Sequence, residues 1–187
     1  MSQEEKIKLC GSASIVGASS AIIKNDKDFI VREYDKKFAF DVSKIKRSYL
    51  YNNVCRFYID DENNELRTVD QGFIGGCLLG EQDYIKAASL LKGKKINSTT
   101  KLIISFPSND LFIKLIDKGV VDIFLECGAI ILNSGCGACS GGCQGKISSN
   151  QLLITTSYYD QKYQKGDVIY TDTEKVIEAC LKGKVCV

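Results

Sequence analysis

Hydrophobic and polar positions along this chain follow two regimes that meet near residue 71. Upstream the pattern is broken. KFAFDVSKI alternates through Phe38, Phe40 and Val42, as a half-buried strand would. SYLYNNVCRFYIDDENNELRTV carries aromatic and β-branched clusters cut by Asn-Asn and Asp-Asp-Glu-Asn-Asn, which predicts short strands joined by polar turns. Residues 1–35 show no clear period, and SASIVGASSAII reads equally as a short strand or a packed arm. The chain is therefore divided into an N-terminal arm, 1–31, and one domain, 32–187.

Downstream, strand and helix patterns alternate. GFIGG ends a strand, and EQDYIKAASLLKG places Tyr84, Ile85, Ala88 and Leu91 on one helical stripe that stops at Gly93. KLIISF is a continuous apolar run closed by Pro107, as in a strand covered on both faces. Ser108 or Asp110 starts the next helix, with Leu111, Phe112, Leu115 and Ile116 inward. VVDIFLECGAIIL gives helix, glycine and short strand, and LLITTSYY a further strand. TDTEKVIEACLKG opens on a capping box from Thr171 to Glu174, buries Val176, Ile177, Cys180 and Leu181, and stops at Gly183. Such alternation predicts a three-layer α/β/α fold with a mainly parallel sheet and helices on both faces. Right-handed crossovers then bring the glycine turns together at the sheet's carboxyl edge, where such folds bind ligands.

Composition narrows the functions. The 187 residues, 44% of them hydrophobic, suffice for one good core. A net charge of +2, with acids and bases interspersed, gives no sign of a nucleic-acid or membrane-surface partner. No apolar run approaches the ~20 residues of a membrane span, and MSQEEKIKLC lacks the layout of a secretion signal. Nine cysteines without such a signal point to a reducing cytoplasm, where thiols hold metal or react more often than they pair. Histidine is absent, which removes His-based proton transfer and metal ligation from this chain.

The cysteines concentrate at two turns. GFIGGCLLG carries Cys77, and LNSGCGACSGGC carries Cys136, Cys139 and Cys143. The C-x2-C spacing of Cys136 and Cys139 lets two thiolates reach one metal or cluster, but redox dithiols share it. Flanking glycines (Gly75, Gly76, Gly135, Gly137, Gly141, Gly142) let backbone approach a bulky centre, with amides free to donate to sulfur. Read this way alone, the turns fit a metal or cluster site, a redox dithiol or inert thiols. Cys55, Cys127 and Cys180 fall in apolar stretches as small core residues.

The stretches GFIGGCLLGEQDYIKAASLLKGKKI and KLIISFPSNDLFIKLIDKGVVDIFLECGAIILNSGCGAC resemble the cluster-bearing domain of the aconitase and 3-isopropylmalate dehydratase large-subunit family. The resemblance extends upstream through YDKKFAFDVSKI and downstream through ITTSYYDQKYQKGD and the last helix, about residues 32–184. It implies a [4Fe-4S] cluster held by the matching positions Cys77, Cys136 and Cys139, with one iron open as a Lewis acid toward a substrate hydroxyl and carboxylate.

The chain also departs from that family. A Cys-Thr-Asn turn is replaced by Cys77-Leu78-Leu79. The family's Ser-x-Asn-Arg stretch reads Ser157-Tyr158-Tyr159-Asp160 here, so an Asp stands where Arg would grip a substrate carboxylate. A second Arg falls near Lys165, the one candidate for substrate binding. Cys143 is an addition open to three roles: a fourth ligand closing the open iron, a reactive thiol beside the cluster, or a buried core residue.

The family's acid/base groups come from other domains that this sequence does not contain. The expectation is therefore a cluster-binding hydro-lyase domain that works as one subunit, with aconitase-type domains or subunits as partners and a small hydroxy acid as substrate. The alternatives are a cluster enzyme of sulfur or small hydroxy-compound chemistry and a non-catalytic cluster sensor or interaction module.

Overall fold

A computed structural model of the chain describes residues 3–13, 17–23, 36, 38–39, 41–44, 48–51, 55–58, 66–139, 144–157 and 164–186. The chain divides into two compact units, Met1–Arg47 and Ser48–Val187. The sequence pattern alone places the boundary earlier, at residue 32.

In the first unit, helix α1 spans Gln3–Gly11 in a stretch whose sequence shows no clear period. The strand expected of KFAFDVSKI does not form over 41–44. There a 3-10 turn, Val42–Lys44, follows Asp41, whose carboxylate accepts from the Ser43 N–H at 3.1 Å and the Ser43 hydroxyl at 2.6 Å. That side chain competes for the backbone donor a strand would need. Phe38, expected half-buried, is 76% exposed.

The second unit begins with β1 (Ser48–Tyr51), β2 (Cys55–Tyr58) and β3 (Leu66–Thr68). The alternating part follows as β4 (Gln71–Ile74), α2 (Glu81–Leu91), β5 (Lys101–Ile104), α3 (Asn109–Asp117), α4 (Val120–Cys127) and β6 (Ile130–Ile131). It closes with β7 (Leu152–Thr155), β8 (Asp167–Tyr170), α5 (Thr173–Lys182) and β9 (Lys184–Cys186). The main sheet runs in the order β2-β1-β8-β7-β4-β5-β6. The five strands from β8 to β6 are parallel, β1 and β2 extend them antiparallel, and β3 pairs with β9 apart. This is the expected α/β fold.

Side-chain alternation divides the core between the two faces. Ile74, Leu102, Ile104, Leu152, Ile154 and Ile169 pack against helices α2 to α5, with Tyr84, Leu91, Phe124 and Val176 fully buried among them. Phe73, Ile103, Leu153 and Val168 point the other way, onto Ala138 and Ile147. Among the described residues of this unit, coil and one 3-10 turn, not an α-helix, form that second layer. The chain from β6 must return past β5 and β4 to reach β7, and the right-handed rule sends it across the face the helices do not occupy. In its described part Gly135, Gly137 and Gly145 have positive φ, which an α-helix does not accommodate.

Two helix details differ from the sequence expectation. The cap of α5 is Asp172, whose carboxylate accepts from the Lys175 N–H at 3.0 Å. Thr171 lies just past β8, its N–H donating to the Thr155 carbonyl at 2.9 Å. In α3, Leu115 is buried as expected while Ile116 remains 45% exposed. β8 is an addition: DVIY is short and follows a polar stretch, so it gives little periodic signal.

Candidate metal centre

Because the five strands are parallel, their carboxyl ends share one edge, and two cysteine turns leave from it. β4 runs directly into Gly75, Gly76 and Cys77. β6 leads through Asn133, Ser134 and Gly135 to Cys136 and a 3-10 turn over Gly137–Cys139.

Hydroxyl residues at the ends of the neighbouring strands lock these turns together. Just past β5, the Ser105 N–H donates to the Ile74 carbonyl and the Ser105 hydroxyl to the Gly135 carbonyl, both at 3.1 Å. The Gly135 N–H donates to the Phe106 carbonyl at 2.8 Å. From the end of β7, Thr156 donates its N–H to the Phe73 carbonyl at 3.1 Å and accepts from the Gly75 N–H at 3.2 Å through its hydroxyl oxygen. The Ser157 hydroxyl donates to the Gly75 carbonyl. Neither turn is free to drift from the other.

The glycines make this closeness possible. Gly76 has φ +92°, and a Cβ there would collide with the Ser157 hydroxyl and lie 3.8 Å from the Cys139 sulfur. At Gly137 a Cβ would stand 2.7 Å from the Phe73 ring and 3.0 Å from the Ser105 hydroxyl. Side chains at either place would push the turns apart.

Cys77 and Cys136 are exposed, and Cys139 is half-buried. The Cys139 thiol and its own N–H both donate to the Cys136 carbonyl, at 2.7 and 3.1 Å. Burial pushes the Cys139 thiol up to about 12; the nearby Cys136 and Cys77 sulfurs add to that, and the Ser157 hydroxyl opposes it. The three thiols thus share one electrostatic environment. Three thiolates gathered there repel one another, and a bound cationic centre reverses that cost. Among the described residues, no group of three or more His, Cys, Asp or Glu stands close enough for a single metal ion.

Beside Cys136 opens a cleft of about 280 Å³ lined by Leu132, Asn133, Ser134, Gly135, Gly137 and Gln144. Its described lining carries no charged side chain. The Ser134 hydroxyl oxygen is buried there with no hydrogen-bond partner.

The other candidates lie elsewhere. Lys165 is exposed just before β8. Since β8 runs parallel to β4, it sits at the amino edge, opposite the cysteine turns. Cys143 falls outside the described residues. Cys127 and Cys180 are 2% and 0% exposed in the helix layer. Sequence reasoning passed over Ser105 and Thr156; the available signal is that hydroxyl residues follow the apolar runs of β5 and β7.

A family model for the aconitase family (aconitate hydratase) matches residues 26–158. The chain belongs to the aconitase family. It is 30% identical to the 3-isopropylmalate dehydratase large subunit of Campylobacter concisus, over 99% of this chain and 50% of that protein. The large subunit of the same name from a Hydrogenobaculum species is 35% identical over 73% of this chain and 32% of its own length. The methanogen homoaconitase large subunit of Methanocaldococcus jannaschii is 26% identical, over 99% of this chain and 52% of that one. The chain spans about half the length of the curated relatives it matches over nearly its whole length. No described helix is long and apolar enough to cross a membrane.

Proposed function

We propose that this chain is the cluster-binding part of an aconitase-like hydro-lyase, with Cys77, Cys136 and Cys139 holding a [4Fe-4S] cluster. The observation that carries this reading is the meeting of two separate glycine turns at the carboxyl edge of the sheet, where a Cβ on Gly76, next to Cys77, would stand 3.8 Å from the Cys139 sulfur. A cubane cluster offers each thiolate its own iron, so a wider set of sulfurs than a single ion would need is what it requires. The close approach of the two turns that Gly76 permits and the unpartnered Ser134 hydroxyl fit a polar group beside these thiols. When bound, such a cluster supplies Lewis acidity toward a substrate hydroxyl. This chain's own residues hold and orient: the turns fix the sulfurs, and the cleft beside Cys136 receives a small hydroxy compound.

Acid/base partners come, in this proposal, from a second protein or further domains. Support lies in the chain's coverage of about half of relatives that are themselves named large subunits, and in the lack of any histidine. A reducing cytoplasmic setting accords with the six free thiols among the described residues. Lys165 receives no substrate role, because it lies at the far edge of the sheet.

Anaerobic reconstitution with iron and sulfide tests the reading. A brown protein carrying about four irons per chain is the expected product. A chain that takes up no iron, or takes up the same amount after Cys77→Ser, Cys136→Ser or Cys139→Ser, would sink it.

A second reading concerns the substrate. The described lining of the cleft, which carries no charged side chain, together with the apolar Leu78 and Leu79 beside Cys77, favours a compound with few carboxylates, or a sulfur compound, over a citrate-like polyanion. Electron paramagnetic resonance of the reduced, loaded chain separates the two. Perturbation by sulfide or a small hydroxy compound, and not by tricarboxylates, is expected; the reverse pattern rules the second reading out.

A further inference from the structure

Ser157 occupies the point where both cysteine turns meet a side-chain hydroxyl. It is 5% exposed. Its N–H donates to the Thr155 hydroxyl at 3.0 Å, which holds its backbone in place. That hydroxyl donates to the Gly75 carbonyl, two residues before Cys77. The space at Gly76 is bounded on one side by the Ser157 oxygen and on another by the Cys139 sulfur. The hydroxyl therefore bonds the Cys77 turn and flanks, at Gly76, the same small space as the Cys139 sulfur.

A serine hydroxyl has one hydrogen to give. While Cys139 is a thiol, its own hydrogen is directed to the Cys136 carbonyl at 2.7 Å, and the neutral sulfur is a poor acceptor. Metal binding removes that hydrogen, and the resulting thiolate is a far stronger acceptor than a backbone carbonyl. The Gly75 carbonyl is not abandoned when Ser157 turns, because the Thr156 hydroxyl lies 3.5 Å from the same oxygen.

We propose that Ser157 is a positioning residue of the centre, its hydroxyl tying the Cys77 turn to the Cys139 turn and donating to the Cys139 sulfur when that sulfur binds iron. The inference rests on the cluster reading above and adds a residue that acts through a ligand without touching substrate. Hydrogen bonds to ligand sulfurs raise the reduction potential of iron–sulfur centres, and outer-shell partners hold the ligands in place.

The test compares the reconstituted wild-type chain with Ser157→Ala and Ser157→Thr. In Ser157→Ala the reduction potential falls, and iron is held against a chelator about 10- to 100-fold less tightly, the range typical of a lost outer-shell partner. Ser157→Thr, which keeps the hydroxyl, restores both. Unchanged potential and iron retention in Ser157→Ala overturn the proposal, as does a Thr variant no better than Ala. Should Ser157→Ala fail to fold, resonance Raman spectra of the wild type and Ser157→Thr in light and heavy water decide instead. A deuterium shift in the iron–thiolate stretching bands supports the bond, and its absence in both overturns it. A wild-type chain that takes up no iron refutes the cluster reading first and this inference with it, a result distinct from a loaded wild type with an indifferent Ser157.

Discussion

The two faces of the parallel sheet use the same residue types to opposite ends. On the helix face, Cys127 and Cys180 are small buried core residues; the Cys127 thiol donates to the Phe124 carbonyl at 3.1 Å, and Cys180 packs above Gly72. On the other face and its carboxyl edge, Cys77, Cys136 and Cys139 leave the core on glycine turns. What separates them is the backbone. A helix presents its thiol to the sheet and closes over it, whereas a turn built on positive-φ glycines carries the thiol outward. Among the described thiols of this unit, those on helices are buried and those on the turns are exposed or half-buried.

That contrast predicts a clean division of mutant effects. Cys77→Ser, Cys136→Ser and Cys139→Ser each abolish stable cluster loading while leaving the urea midpoint of the unloaded chain almost unchanged. Cys127→Ala and Cys180→Ala do the opposite: iron uptake per folded chain stays at the wild-type level and the urea midpoint drops. Loading is read from iron and sulfide content, folding from circular dichroism. If an edge variant unfolds the chain, or a helix-layer variant prevents loading, the two faces are not independent.

Alkali distinguishes the faces next. Burial pushes the Cys180 thiol up to about 12 from an ordinary value near 9, with Cys127 nearby adding to the shift. Below pH 9 both folded and unfolded chains keep that proton, and stability does not depend on it. Between 9 and 12 the unfolded chain has released the proton and the folded one has not, so stability falls as pH rises, by as much as about 4 kcal/mol. Urea midpoints of the unloaded wild type and Cys180→Ala, measured from below pH 9 upward, give the comparison. The wild type declines more steeply; parallel curves would show that Cys180 ionises freely.

Beneath Cys180 the packing leaves no room for a methyl group. A Cβ on Gly72 would overlap the Cys180 sulfur and stand 3.3 Å from Leu102 and 3.4 Å from Val176. Overpacking of this kind costs about 1–3 kcal/mol, and Gly72→Ala is expected at the upper end. Removing the sulfur relieves most of it. In the cycle with Cys180→Ala, the double variant is therefore more stable than the two single losses added together, by at least about 1 kcal/mol. Simple additivity would mean that the helix has moved away and that α5 is less firmly seated than the contacts indicate.

The same contrast explains which parts were legible in the sequence. Helix stripes such as Tyr84, Ala88 and Leu91, and the apolar run before Pro107, announce themselves by period, because burial on one side repeats. The glycine turns were legible through composition, and with them the placement of Cys77, Cys136 and Cys139. Short elements were not: β8 has four residues, and the strand expected near Phe40 gives way over 41–44 to a turn organised by the Asp41 carboxylate. Nor were the hydroxyls that bind the turns together. Ser105, Thr156 and Ser157 meet Gly75 and Gly135 only after distant strands are paired, and no local pattern encodes a contact 30 or 81 residues apart.

The smallest expected effect tests whether two of the helix caps are insulated from the cysteine turns. Asp172 caps α5 by accepting from the Lys175 N–H, and Ser108 caps α3 by accepting from the Leu111 N–H at 3.2 Å. Losing either cap leaves an amide without its partner and costs about 1 kcal/mol. The consequences should still differ from those at Ser157. Asp172→Ala and Ser108→Ala lower the urea midpoint by similar amounts but leave reduction potential and iron retention at wild-type values, since each cap bond lies within its own helix. Ser157→Ala changes those two quantities with little effect on the midpoint. A cap variant that shifts the potential would show that strain in the helices travels through the sheet to the sulfurs, and the division between the two faces would then be one of degree.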